Sequence, residues 1–342
     1  MKKISTKDAV GHVLCHDMTR IVPGEFKGPA FRKGHIVREE DIPVLLSMGK
    51  ENLYVWEKDE NMYHEDEAAE ILSRMCLGPN MTAGQPKEGK IEIFSQVDGL
   101  FTLDDERLMW INSLGEMMIA ARSGGVPVAK GDKLAGTRVI PLVIEKEKMR
   151  RAEELSGSEP LLKVSPFLHK KVAMIITGSE VFSGRIEDKF GPAIEAKMKA
   201  YDTEIMGKTI IGDDPQKIAA QIREYIDDGA DMICCTGGMS VDPDDTTPTA
   251  IRASGAKIVS YGAPVLPGAM FLLAYAEGDI PVMGLPGCVM YSRRTIFDLV
   301  LQKLMAGIRV EAEDLAAMGN GGLCLDCEIC TYPNCGFGKK GF

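Results

Sequence analysis

Four short apolar runs, KVAMIIT (171–177), EIMGKTII (204–211), ADMICCT (230–236) and IPVMGL (280–285), punctuate the second half of the chain. Between and after them, apolar residues recur at helical spacing around 191–200, 215–228, 246–254 and 289–305. Continuous apolar strands alternating with amphipathic helices predict an α/β domain over 165–310, a doubly wound and mostly parallel sheet covered on both faces. Ligands of such sheets sit beyond the carboxyl ends of the strands. The loops that follow each run are therefore where chemistry is expected.

Residues 1–156 carry a different pattern. The first 60 are turn-rich, with VPGEFKGPAFRKGHIV at 22–37 and a final apolar run at Leu53, Tyr54 and Val55. Proline and glycine at that density predict a small β-rich or mixed module, expected over 1–80. Within it, NMYHEDEAAEILSRMCLG (61–78) has helical spacing after an acidic first turn, and Gly78-Pro79 ends it. A second mixed α+β module is expected over 81–156, with a strand in IEIFSQV, a helix around 104–114 and strand-turn-strand texture in VPVAKGDKLAGTRVIPLVI. The run EKEKMRRAEEL then reads as a solvated helix face. A cysteine-rich tail occupies 320–342.

Composition narrows the class. The net charge of −10 and the lack of a basic stripe argue against nucleic acid as a partner. MKKISTKDAVGHVLC has no apolar run after its lysines, and no window approaches the length of a membrane span, so a cytoplasmic protein without a membrane partner is expected. In that compartment the nine cysteines read as buried thiols or metal ligands before disulfides. The five histidines are scattered and support no triad.

The strand-end loops share one chemistry: TGSEVFSGRIEDKFGPAI, GDDP, TGGMSVDPDDTTP and GLPGCVMYSRR each set glycine beside Thr, Ser or Asp. Glycine lets backbone N–H groups approach an anion, and a following helix start adds partial positive charge, so such loops suit phosphate. Each alone is equally a β-to-α turn with a good cap, as at Asp214-Pro215 and Thr247-Pro248. The acids Asp188, Asp242, Asp244 and Asp245 cannot all face a phosphate uncompensated, and a divalent cation resolves the conflict.

In these residues, from about 170 to 307, the chain resembles the molybdopterin-binding domain shared by molybdopterin adenylyltransferases, molybdopterin molybdotransferases and gephyrin. The likeness rests on TGSE with GRIEDKFGPAI, on TGGMSVDPDDTTP, and on GLPG before the last helix. EDKFGP and DDTTP follow the adenylyltransferase pattern, whereas the preceding modules, TGSE and the late GLPG follow the molybdotransferase. One departure stands out: the molybdotransferase stretch Pro-Gly-Lys-Pro has its nearest counterpart in LPGAMF (266–271), which lacks the lysine.

The resemblance implies molybdopterin held by Thr177, Gly178, Ser179, Glu180, Asp213, Thr236, Gly237, Gly238, Ser240, Pro267, Gly268, Gly284, Pro286 and Gly287. It implies Mg2+ at Asp242 and Asp245, with Asp188 and Asp245 as catalytic acids facing a common pocket. The function implied is insertion of molybdate or tungstate into adenylated molybdopterin. A non-catalytic carrier or sensor delivering cofactor to a molybdoenzyme apoprotein, and a nucleotide pyrophosphatase on the same fold, stay open. A homo-oligomer is expected.

The tail supplies a separate candidate. CLDCEICTYPNC spaces Cys324, Cys327, Cys330 and Cys335 as Cys-x2-Cys-x2-Cys-x4-Cys, enough thiolates for zinc or an iron–sulfur cluster. The spacing differs by one residue from the bacterial cluster run, and an unliganded reduced tail stays open. Cys234 and Cys235 read as buried small hydrophobes. Cys288 sits at a helix start without a partner base.

Overall fold

The computed structural model describes residues 2–22, 26–55, 60–240 and 245–339. Asp242, a Mg2+ candidate, and Asp244 lie outside the described residues. The chain divides into two compact units, one of 1–96, 103–122 and 131–163, the other of 97–102, 123–130 and 164–342.

In the first unit, Lys2–Ser5 pairs antiparallel with Asn52–Val55. Ala9, Leu14, Met18, Val37, Leu45 and Leu53 form a small core there. A four-stranded antiparallel sheet follows, in the order Met81–Ala83, Lys90–Ser95, Lys133–Val139, Met117–Ala121. Helix Glu65–Cys76 packs on it, starting from a capping box in which His64 accepts from Asp66 N and Glu67 bonds back to His64 N. The charged run forms helix Lys146–Ser156, which is not wholly solvated, because Met149 and Ala152 are buried.

The second unit contains an α/β sheet of the expected class, together with 97–102, 123–130 and the tail. Its sheet contains β1 (Lys170–Thr177), β2 (Thr203–Ile211), β3 (Met232–Thr236), β4 (Lys257–Tyr261), β5 (Leu272–Ala276) and β6 (Ile280–Leu285). Their order is β2-β1-β3-β6-β5-β4. β1 runs parallel to β2 and β3, and β3 parallel to β6, whereas β5 and β4 complete the edge antiparallel. That antiparallel edge lay outside the sequence pattern.

Alternation along the central strands divides the core in two. Val172, Met174, Met232, Cys234 and Met283 enter one cluster with Ile194 and Met198 of α1 (Phe190–Met198) and Phe297 and Val300 of α4 (Ile296–Met305). Ala173, Ile175, Ile233, Cys235 and Val282 enter the other with Ile218 and Ile222 of α2 (Pro215–Asp227) and Ala250 and Ile251 of α3 (Thr247–Ala253). This is the period-two signature of a sheet buried on both faces. Cys234 and Cys235 are fully buried, and burial pushes the Cys235 thiol up to about 12. The helix expected over 289–305 starts only at Ile296, after a 3-10 turn at Gly287–Met290, because Thr295 caps it with Asp298 in reciprocal bonds. Phe337 of the tail joins the first cluster.

Candidate functional site

Parallel register places the ends of β1, β3 and β6 side by side, with Ile176 beside Thr236 and Thr236 beside Leu285. At this edge the TGG loop turns back against β1. Gly237 has φ +83°, and a Cβ there would lie 2.2 Å from Thr177 O. Only glycine tolerates both the left-handed backbone and that approach. Thr247 Oγ1 donates to Gly237 O at 2.8 Å and lies 3.1 Å from Thr177 Oγ1, tying the loop to the start of α3.

The loop forms one wall of a cavity of about 440 Å³. Its floor and sides come from Gly237, Gly238, Met239, Ser240 and Asp245, from Gly268, Ala269 and Met270, and from Leu285, Pro286, Gly287 and Cys288. Phe190 and Tyr291 bring aromatic rings. Among the described residues Asp245 is the one charged side chain in this lining. Tyr261 buttresses the wall, its hydroxyl donating to Met239 O at 3.0 Å. Burial, and then the Asp245 charge, push the Tyr261 phenol upward. Burial likewise raises the Cys288 thiol, so it is no activated nucleophile.

The structure thus gathers Gly237, Gly238, Ser240, Asp245, Gly268, Pro286 and Gly287 of the expected residues around one cavity. Thr177, Thr236, Pro267 and Gly284 stand next to lining residues without lining it, and a Cβ on Gly284 would strike the Met239 thioether at 2.5 Å. Thr236 Oγ1 is buried without a hydrogen-bond partner. Gly178, Ser179, Glu180 and Asp213 form an adjoining loop pair in which Ser179 N and Oγ both donate to Asp213 Oδ2, at 2.8 and 2.7 Å. Asp188 does not line the cavity. Its Oδ1 accepts from Phe190 N and Gly191 N at 2.8 and 3.0 Å, capping α1, while Oδ2 lies 3.8 Å from Lys208 Nζ. Sequence reasoning missed Phe190, Met239, Met270, Tyr261 and Tyr291, whose apolar character gives no signal until the loops are placed.

Two metal candidates remain. Of the tail thiols, Cys324 and Cys335 are half-buried and Cys327 and Cys330 exposed. Among the described residues, the set whose donor atoms all lie within 4.8 Å is instead His64, Glu65 and Asp66, in the first unit. There Lys33 Nζ already lies 2.9 Å from His64 Nδ1 and 2.8 Å from Asp66 Oδ2, so an ammonium fills the cation's place.

Residues 173–306 match the family described as a probable molybdopterin binding domain. Over those residues the α/β domain is thus similar to the molybdopterin-binding domain family. Residues 3–57 match a domain of unknown function (DUF8806). A CinA-like protein of Mycobacterium sp. (strain JLS) is 36% identical over 90 residues, which make up 26% of this chain and 21% of that protein. One from Mycobacterium avium (strain 104) is 38% identical over 77 residues, 22% of this chain and 18% of that protein. The chain thus spans about a fifth of the length of the curated relatives it matches. The molybdopterin biosynthesis enzyme MoaB of Thermus thermophilus aligns with 40% of this chain and 97% of its own, at 21% identity and TM-score 0.34. No described helix is long and apolar enough to cross a membrane.

Proposed function

We propose that the α/β domain binds molybdopterin in this cavity and acts in molybdenum cofactor assembly, inserting the metal oxyanion into the adenylated pterin. The observation that carries the reading is the lining itself: a glycine turn, two aromatic rings and one carboxylate at the carboxyl edge of a parallel sheet. Phe190 and Tyr291 offer flat apolar faces to a pterin ring. Gly237 and Gly238, without side chains, let a phosphate approach the backbone. Thr236 Oγ1, buried without a partner just before that turn, is an unspent polar group at the same edge.

Asp245 is the described residue that would hold Mg2+, an oxygen-seeking ion. Bound there, the ion would supply positive charge that the described lining residues do not carry. The protein's own part is to position the ring, exclude water from around it and fix the phosphate at the TGG turn.

The experiment compares native protein and Asp245→Asn for molybdopterin binding and for Mg2+- and molybdate-dependent release of nucleotide from adenylated molybdopterin. Turnover lost in the variant, with pterin binding partly kept and melting temperature nearly unchanged, is expected, since Asn keeps the size and shape of the half-buried Asp245 side chain and removes only its charge. Binding without nucleotide release in the native protein would establish the carrier reading instead. Absence of both would overturn the proposal.

A further inference from the structure

Between Gly321 and Gly338 the chain forms a closed loop with four thiols and little framework of its own. Gly338 N donates to Gly321 O at 2.9 Å, and a Cβ on Gly321 would lie 2.0 Å from Lys339 O, so the two ends meet at a contact built for glycine. At one end Leu266 N donates to Gly322 O and Cys324 N to Leu266 O, both at 2.8 Å. At the other, Phe337 is 4% exposed in the domain core. Tyr332 donates to Gln302 Oε1 at 2.7 Å, and its ring lies 4.7 Å from the Arg294 guanidinium. Arg293 Nη1 donates to Glu328 O at 2.6 Å.

Inside those anchors, residues 324–339 form no helix or strand. Leu325 and Ile329 are 76% and 77% exposed, so the outer stretch that carries Cys327 and Cys330 does not recover its ordering entropy by burying its own apolar side chains. What the loop does contain is Cys324, Cys327, Cys330 and Cys335, all unpaired.

We propose that these four cysteines ligate one metal centre. Ligands at this spacing let a short loop wrap a single centre, and the binding free energy supplies the order that the apolar side chains do not. Each thiol releases its proton to solvent as it ligates. Four thiolates leave the centre with net negative charge, and Arg293 and Arg294 stand against this loop with the opposite sign. No three of the thiols come within 4.8 Å of one another, whereas a zinc tetrahedron spaces its sulfurs about 3.8 Å apart. An iron–sulfur cluster, with its cysteines on separate irons, asks for less closure. The loop is bonded to the chain close to the cavity on two sides: Leu266 lies two residues before Gly268, and Arg293 two residues after Tyr291, and Gly268 and Tyr291 line it. The centre would brace these two cavity loops.

The test uses full-length protein from iron-supplemented cells, purified without oxygen, with iron, acid-labile sulfide and zinc measured per chain alongside the absorption spectrum. About one centre per chain is expected, with sulfide and visible absorption marking a cluster and stoichiometric zinc without colour marking a single ion. Cys327→Ser/Cys330→Ser should lose it; both positions are exposed, so the far-UV circular dichroism should stay native. As a check independent of that variant, Co2+ added to the metal-free native protein should give an intense thiolate charge-transfer band. Metal-free protein that also fails to take up Co2+ or a reconstituted cluster, or a double variant that keeps the full metal, would overturn the proposal. Neither readout depends on pterin.

Discussion

Replacing Gly237 with alanine tests the turn on which the whole cavity wall hangs. Two costs follow from its geometry. The residue sits at φ +83°, where a non-glycine residue costs about 1–2 kcal/mol. The added Cβ would also lie 2.2 Å from Thr177 O, the backbone of a strand bonded on both sides, so the loop must move by about an ångström, at about 1–3 kcal/mol for overpacking. Together they predict a loss of about 2–5 kcal/mol. Gly287→Ala is the control: its Cβ meets nothing within 4 Å, and the change should stay within about 0.5 kcal/mol. Urea unfolding by circular dichroism reads the difference as a midpoint shift of about 1–2 M at ordinary slopes. No tryptophan falls within 164–342, and Trp110 lies in the first unit, so fluorescence should leave that transition unreported and follow the first unit instead. Equal midpoints for the two variants would refute the steric account.

Glu65 is nearly buried, and burial first, then the Asp66 charge, raise its carboxyl from 4.5 to about 7. The folded state therefore binds the proton more tightly than the unfolded chain, and this group's stability contribution, complete below pH 4.5, is lost as pH rises through about 7. Glu65→Gln should gain about 1–3 kcal/mol relative to native between pH 4.5 and 8, measured as paired urea curves; a difference independent of pH would refute it. Phe337→Ala should cost the α/β domain about 3–5 kcal/mol, although the residue belongs to the tail, because it leaves a cavity in the core. An unchanged midpoint would show that the tail does not complete the fold.

Legibility followed the strength of the periodicity. The runs at 171–177, 204–211, 230–236 and 280–285 are strands because both faces of a parallel sheet are apolar, a pattern few other arrangements produce. β4 escaped because KIVSY at the sheet edge is only half-buried, and β5 because LLAYA merges with the apolar LPGAMF stretch just before it. In the cavity, glycines declared themselves through composition, while Met239, Met270 and Tyr291 did not, since an apolar residue in a loop looks the same whether it faces a ligand or the core. Asp188 was legible as an acid in a polar loop, but its carboxylate caps α1 and pairs with Lys208, a use that the word "acid" does not distinguish from catalysis.

The missing lysine then becomes a physical question rather than a gap in a pattern. Ala269 follows Pro267-Gly268, lines the cavity and is exposed, at the place where the related Pro-Gly-Lys-Pro stretch carries its cation. With Asp245 as the one charged side chain in the described lining, an incoming phosphate meets like charge and no side-chain cation. On the proposed reading, compensation would come from backbone amides at the glycine turn and from an ion held at Asp245. Ala269→Lys separates these contributions. A flexible ammonium at that rim should reach a bound phosphate and replace part of the ion's charge, while an exposed substitution changes stability by no more than about 0.5 kcal/mol. Pterin affinity measured with and without Mg2+ should therefore rise in the absence of the ion, by about tenfold for about 1.4 kcal/mol of added attraction, and its Mg2+ dependence should shrink. An unchanged Mg2+ dependence would show that the ion does not serve the phosphate, and that Asp245 faces the cavity for some other reason.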